Sequence, residues 1–578
     1  MALLMTSFIA AFGQNTDTEG GVDPPSATTP PAAEERLGGE ALPFFELATV
    51  RCVPCHSGLV DASGTDVSIS FSWRASMMAN SARDPYWQAS VRGEVLDHPE
   101  LASAIEDKCA TCHMPMARTS SFASGTAGRV FDNLPAIALA PNPWSPPGVE
   151  PVGAEATSVA GSAARRAKLA LDGVSCSLCH QIEATGLGDV DSFSGGFAIA
   201  TSPATARRPA FGPWEVDAGR STVMRSSSGF HPTQGTHLQR SELCATCHTL
   251  YTHYVDGQGQ VAGELPEQVP YLEWLHSEYP ETRSCQDCHM PELVVEAPIS
   301  SVLGMPRSNF SRHVFRGGNS YMLSILQAHR DELGVAARDH ELGASITETE
   351  WNLENKAARV TLENVSRSGA LLQADVRVDN TGGHKLPTAY PSRRAWLHFT
   401  VRGADGTVLF ESGAPSAEGW IVGNDNDVDP ARYEPHYRAI ERSDQVQIYE
   451  SIMVDTGGQV TTGLLFGSRY VKDNRLLPRG FAKETAHADI AVRGAAADDL
   501  DFLGGSDRLR YTVDVGDTRG PLAVEVDLLY QSIAYRWARN LRRHRAAEIV
   551  RFLDIYGGTG GSSVVTMAHD EATCPESR

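Results

Sequence analysis

Ser241-Glu-Leu-Cys244-Ala-Thr-Cys247-His248 is the stretch on which the reading of this chain turns. Its frame, Cys-x-x-Cys-His, occurs four more times, as Cys52-Val-Pro-Cys55-His56, Cys109-Ala-Thr-Cys112-His113, Cys176-Ser-Leu-Cys179-His180 and Cys285-Gln-Asp-Cys288-His289. The chain has 11 cysteines, and Cys574 alone stands outside the frames. Cysteines of an exported protein are read first as disulfides, but the repeated spacing overrules that. Zinc frames need a second ligand pair at a regular offset and do not demand a histidine directly after the second cysteine. A redox dithiol has no use for that histidine either.

The frame is that of c-type haem attachment. Two thiols three positions apart on a helical turn reach the two vinyl groups of one porphyrin and form thioethers, and the histidine that follows points at the iron. Five haem c groups are expected, with His56, His113, His180, His248 and His289 as proximal ligands. Successive frames begin at residues 52, 109, 176, 244 and 285, a spacing too irregular for a solenoid and suited to haems packed together by helices and loops of varied length.

Whether each iron has a sixth ligand decides between electron transfer and binding of a small molecule. His237, in THLQRSELCATCH, is the foremost distal candidate, with His231 as its fallback. His313 lies in FSRHVFRGGN, where paired glycines allow close backbone approach to a flat cofactor. His384 lies in NTGGHKLPTAYPSRRAW, a loop stiffened by glycines before it and proline after it. His253, His98, His276 and the thioether of Met78 in WRASMMANSARDPYW follow as weaker candidates. Met114 and Met290 read as contacts at a haem edge. For each of these the competing reading is ordinary: a loop or surface histidine bonded locally, or a methionine that packs.

These motifs resemble the multihaem cytochromes c, the group that includes pentahaem nitrite reductases, octahaem hydroxylamine oxidoreductases and tetrahaem electron carriers. The resemblance rests on the five frames together with WRASMMANSARDPYW, EWLHSEYPETRSCQDCHMP and HVFRGGN, over about residues 45–345. GGHKLPTAYPSRR and VKDNRLLPRGF look like the C-terminal β-rich extension of some exported members. The resemblance implies haems stacked into a conduit. Pentahaem nitrite reductases usually carry one Cys-x-x-Cys-Lys site, whereas all five frames here end in histidine, so a haem wire is implied more strongly than either enzyme.

The rest of the chain sets the frame for this reading. Its 578 residues bound one very large domain or two to three ordinary ones. A formal charge of −22 disfavours nucleic acid and favours cationic partners. The opening MALLMTSFIAAFGQ resembles a secretory signal, taken as residues 1–20, and the Pro-rich 21–44 is a linker. Residues 45–350 are expected to form a mainly helical, loop-rich haem domain, with surface loops over 120–165 and 190–230. From 351 to 530, ALLQADVRVDN, AWLHFTVRG, LRYTVDV and LAVEVDLLY alternate apolar and polar residues, which predicts an antiparallel β-sandwich-like domain. SIAYRWARNLRRHRAAEIVRFLDIY then reads as one amphipathic helix, and residues 531–578 as helix and tail. Cys574, in that polar tail, is a free thiol or a bridge to another chain, so an oligomer is an open expectation. The fold class is α+β. The expected role is electron transfer in the periplasm or at the cell surface, between redox partner proteins and with no transmembrane segment. The alternative is an oxidoreductase with one open iron acting on a small nitrogen or sulfur oxyanion.

Overall fold

Asp84 starts the helix Pro85–Asp97: its carboxylate accepts from the backbone N–H groups of Tyr86 and Trp87, and Pro85 occupies the first helical position. Pro99 stops it, and the chain reverses into the helix Ala102–His113, whose last turn is the second Cys-x-x-Cys-His frame. The fifth frame is a single turn, Cys285–His289, opened by a reciprocal cap between Ser284 and Asp287. The third and fourth frames begin in equally short turns, Cys176–Cys179 and Ser241–Ala245. Regular structure around the frames is thus brief, and the helices Ser320–Ala328 and Asp339–Asn352 close this part of the chain.

The structure is a computed structural model that describes residues 44–134, 159–199 and 208–576. The expected signal segment and nearly all of the linker lie outside these residues. The described residues belong to one compact unit, Leu42–Arg578, of mixed α+β character. No helix among them is long and apolar enough to cross a membrane.

From Ala358 onward strands dominate. One sheet orders Val408–Ser412, Arg394–Arg402, Leu522–Gln531 and Val564–Cys574, with Ile448–Tyr449 also pairing on Arg394–Arg402. A second orders Ala439–Ile440, Ser506–Asp514, Leu371–Asn380 and Ala358–Ser368. Pairing in both is antiparallel except between Ala439–Ile440 and Ser506–Asp514. Strand alternation places Leu509, Tyr511 and Val513 on the buried face of the second sheet. They meet Leu397, Phe399, Val401, Val524, Val526 and Leu528 of the first in one core. Phe399 and Tyr511 stack across it, ring centroids 3.9 Å apart.

Three sequence expectations change. The single C-terminal helix is two, Tyr535–Asn540 and Ala547–Thr559, because the run Asn540–Arg545 bends through a 3-10 turn. The second of these packs on the frame-bearing region: Phe552 meets Tyr86, and Arg92 holds Glu548 with bonds of 3.1 and 2.8 Å. Cys574 is not in a tail, for the last eleven residues of strand return beside Leu522–Gln531 and bury it. Hydrophobic residues there are too sparse to announce a strand; backbone pairing with a preformed edge makes one. Finally, residues 208–230 are not all loop but the strand Arg208–Gly212 and the helix Ala218–Ser228, capped by Asp217 and ended by Gly229 at φ 80°.

Candidate cofactor and metal-ligand array

All eleven cysteines are free thiols among the described residues. Those of different frames meet in pairs: Cys176 with Cys52, Cys112 with Cys247, and Cys244 with Cys285. Cys179 lies within electrostatic reach of Cys247. The frames are therefore neighbours in the order first, third, fourth, fifth, with the second joined to the fourth. The histidines agree: His56 feels His180, while His248 feels His289 and His113. The second frame thus leaves the chain order and stands to one side, against the fourth.

A histidine that is to bind iron must present a nitrogen lone pair, and its hydrogen bonds reveal which nitrogen does so. A carbonyl oxygen can only accept, so a ring nitrogen facing one carries the proton. Nδ1 of His56 donates to Ile299 O at 2.6 Å, that of His113 to Ser81 O at 3.1 Å, that of His180 to Phe211 O at 2.6 Å and that of His289 to Arg316 O at 2.6 Å. Nε2 is left as the donor atom in all four. The same holds for two candidates outside the frames, His313 on Ser311 O and His384 on Lys385 O, each at 3.0 Å. Burial pushes His113 and His248 down to about 4 and His313 to about 3. These rings are neutral, the form a metal requires.

Two of those rings stand opposite frame histidines. His180 and His313 have ring centroids 6.4 Å apart with planes 15° from parallel; His289 and His384 are 6.2 Å apart at 9°. Two metal–nitrogen bonds of about 2.0 Å and two ring radii of about 1.1 Å sum to roughly 6 Å, so each gap matches one metal atom between two imidazoles. Direct packing is closer, as Trp87 against His113 shows at 4.4 Å and 6°. The third and fifth frames thus fit a six-coordinate haem, with His313 and His384 as distal ligands.

The remaining candidates fare differently. His237 is buried, but its Nε2 donates to Ile182 O at 2.8 Å, so that nitrogen offers no lone pair. Closeness in sequence to the fourth frame put it first; a ligand across an iron must instead come from a segment that crosses over the frame. His276 likewise commits Nε2 to Ala482 O. His253 faces solvent beside Glu264 at 3.3 Å. His231 meets Ser221. His98 is buried against Phe466 with Nε2 unpartnered. It is the C-cap of Pro85–Asp97, four residues ahead of the helix Ala102–His113 that carries the second frame. The backbone of Met78 accepts from Val174 N at 3.0 Å, just ahead of the third frame.

Sequence reasoning missed the support beneath His384. Lys385, fully buried, donates from Nζ to Asp473 at 2.8 Å and from its backbone N to Glu273 at 3.1 Å. Arg475 joins Asp473 and Glu273, at 2.9 and 2.8 Å. Leu386 and Leu476 exchange backbone hydrogen bonds of 2.9 and 2.8 Å. GGHKLP and VKDNRLLP, separate in sequence, are therefore one structural unit; Lys385 in the one and Asp473 in the other were the available signal.

No family model and no curated protein matches the chain. Among solved structures it is similar to the crystal structure of a penta-heme cytochrome c552 from Thermochromatium tepidum, at 14% identity over 87% of this chain and 95% of that one, with a TM-score of 0.47. A likeness this loose leaves the function to be argued from the chain's own residues.

Proposed function

We propose that the chain is an exported electron-transfer protein carrying five haem c groups, one on each frame. The reading is carried by the two imidazole pairs 6.4 and 6.2 Å apart, each built from a frame histidine and a histidine from elsewhere in the chain. Haem iron held this way cycles between ferric and ferrous and carries one electron at a time. The protein's part is to hold His56, His113, His180, His289, His313 and His384 each by its Nδ1 proton, to favour the neutral ring, and to bring the frames into contact. The neighbour order describes a branched conduit, with the fourth frame as the junction and the first, second and fifth as its ends. Redox partner proteins are expected at those ends.

A second reading, an oxidoreductase on a small nitrogen or sulfur oxyanion, draws on the surroundings of His248. Arg393 lies within electrostatic reach of it. Half-buried Tyr390 senses two buried carboxyls, Glu94 and Glu267, which burial raises to about 7. A cation with proton donors suits an anion that is reduced.

Pyridine haemochrome analysis of holoprotein from a strain competent in haem attachment should return five acid-stable haems per chain. Electron paramagnetic resonance of the oxidised protein should show low-spin signals for the third and fifth sites. A colourless folded protein overturns the proposal. A high-spin signal that shifts with nitrite or sulfite favours the second reading.

A further inference from the structure

The ligand loop Thr381–Thr388 belongs to the β-rich part of the chain, whereas its target His289 belongs to the frames. Something must hold one against the other. Four buried charges occupy that junction: Lys385 in the loop, Asp473 and Arg475 at the end of the strand Arg469–Asp473, and Glu273 on the helix Pro270–Leu275 that leads towards the fifth frame. They alternate in sign. Lys385 bonds Asp473, Asp473 bonds Arg475 through both carboxylate oxygens, Arg475 meets Glu273, and Glu273 accepts from the backbone N–H of Lys385. The ring of contacts is closed, by hydrogen bonds except for the Arg475–Glu273 ion pair, and its net charge is zero. Desolvating four charges costs folding energy that a well-packed apolar group would not. Stability alone is therefore a poor account of the cluster. Its place, one residue from His384 and spanning both parts of the chain, is the better one. Asn380 adds a bond from its amide to His384 O at 2.9 Å, and Gly383 lies so near Trp274 that a Cβ there would come within 3.3 Å of its ring.

The geometry points to Lys385, Asp473, Arg475 and Glu273 as a positioning device that keeps His384 across from His289, so that packing of the β-rich part sets the coordination state of the fifth haem. These are positioning residues, acting through His384. The inference rests on the ligand pair assigned above.

The test uses three variants of the full-length holoprotein. His384→Gly removes the ligand; a high-spin ferric signal should appear, carbon monoxide binding to the reduced protein should rise by one per chain, and added imidazole should restore the low-spin spectrum. Asp473→Asn leaves two buried cations against one anion, and should produce the same high-spin signal and the same extra carbon monoxide site with His384 intact. Asp473→Asn combined with Lys385→Met restores charge balance and should return the low-spin spectrum. If His384→Gly leaves the spectrum unchanged, the ligand assignment itself falls. If His384→Gly responds and Asp473→Asn stays low-spin, the positioning role alone is overturned. Should Asp473→Asn fail to accumulate, Lys385→Met alone takes its place with the same two outcomes.

Discussion

The strand-rich residues after Ala358 and the frame-bearing residues before Asn352 are held together by different means. In the former, aliphatic and aromatic side chains from two sheets fill one continuous core that includes Leu372, Val376, Phe399, Tyr511 and Val526. In the latter, buried apolar residues are divided among several clusters: one around Trp87, Ile105 and Met116, one that Tyr86 and Met322 share with the C-terminal helices, and small ones such as Leu59, Val67, Ala297 and Phe310, or Ala48, Val53, Trp73 and Ala79. Between the clusters lie the frame histidines, of which His56, His113, His180 and His289 are half-buried and tied by Nδ1 to a backbone carbonyl. The first region completes its own core. Under the proposed function, flat apolar groups attached at the frames would complete the second, whose stability would then be linked to them as that of any protein is to a ligand bound only in the folded state.

The largest effect should come from producing the chain without haem attachment. Amide hydrogen exchange should then show the residues around the five frames unprotected, with the slowest exchange left in Arg394–Arg402, Leu522–Gln531 and Leu371–Asn380. Equal protection in both regions would break the comparison. Next, Phe399→Ala removes a ring packed on Tyr511, and should cost about 3–5 kcal/mol in chemical denaturation while leaving the haem spectrum unchanged. A haem perturbation there would show that the cores are not separate. In the frame region, Asp84→Ala loses the cap of Pro85–Asp97 and should cost about 0.5–2 kcal/mol. Unlike the core substitution it should also shift the resonances of the second haem, because Trp87, whose N–H Asp84 holds, lies on His113.

The smallest effect concerns the sheet edge. The bond from Asp527 raises His569 above its ordinary 6.5, and the bonds from His398 and His569 lower Asp527 below its ordinary 3.8. A raised histidine contributes stability that is complete below about 6.5 and is lost as pH climbs through its folded value. A lowered aspartate contributes above about 3.8 and loses it as pH falls. The pair is thus strongest between about pH 4 and 6.5. His569 is half exposed, so His569→Gln should cost about 0.2–1 kcal/mol at pH 5.5 and nothing measurable at pH 9. A cost that grows with pH would contradict this sign.

Much of the plan was legible in the residues. Cys-x-x-Cys-His is a local rule, because two thiols and an imidazole reach one porphyrin from one turn; strand alternation after residue 358 is local too. GGHKLP and VKDNRLLP also stand out in the sequence, but nothing in it shows that they touch. What was not legible is whatever depends on segments far apart meeting. His313 and His384 could not be told from His237 by sequence, because the difference lies in which nitrogen a distant carbonyl holds. Cys574 looked solvent-exposed until the partner strand was in view.

The amino-acid sequence by itself determined where cofactors can be attached and which stretches pleat, since both follow from neighbours a few residues apart. Only the tertiary structure decided that the frames run first, third, fourth, fifth with the second to one side, and that a β-rich loop reaches back to face His289. Those are consequences of chain reversal and packing between residues a hundred or more positions apart, and no periodicity along the chain encodes them.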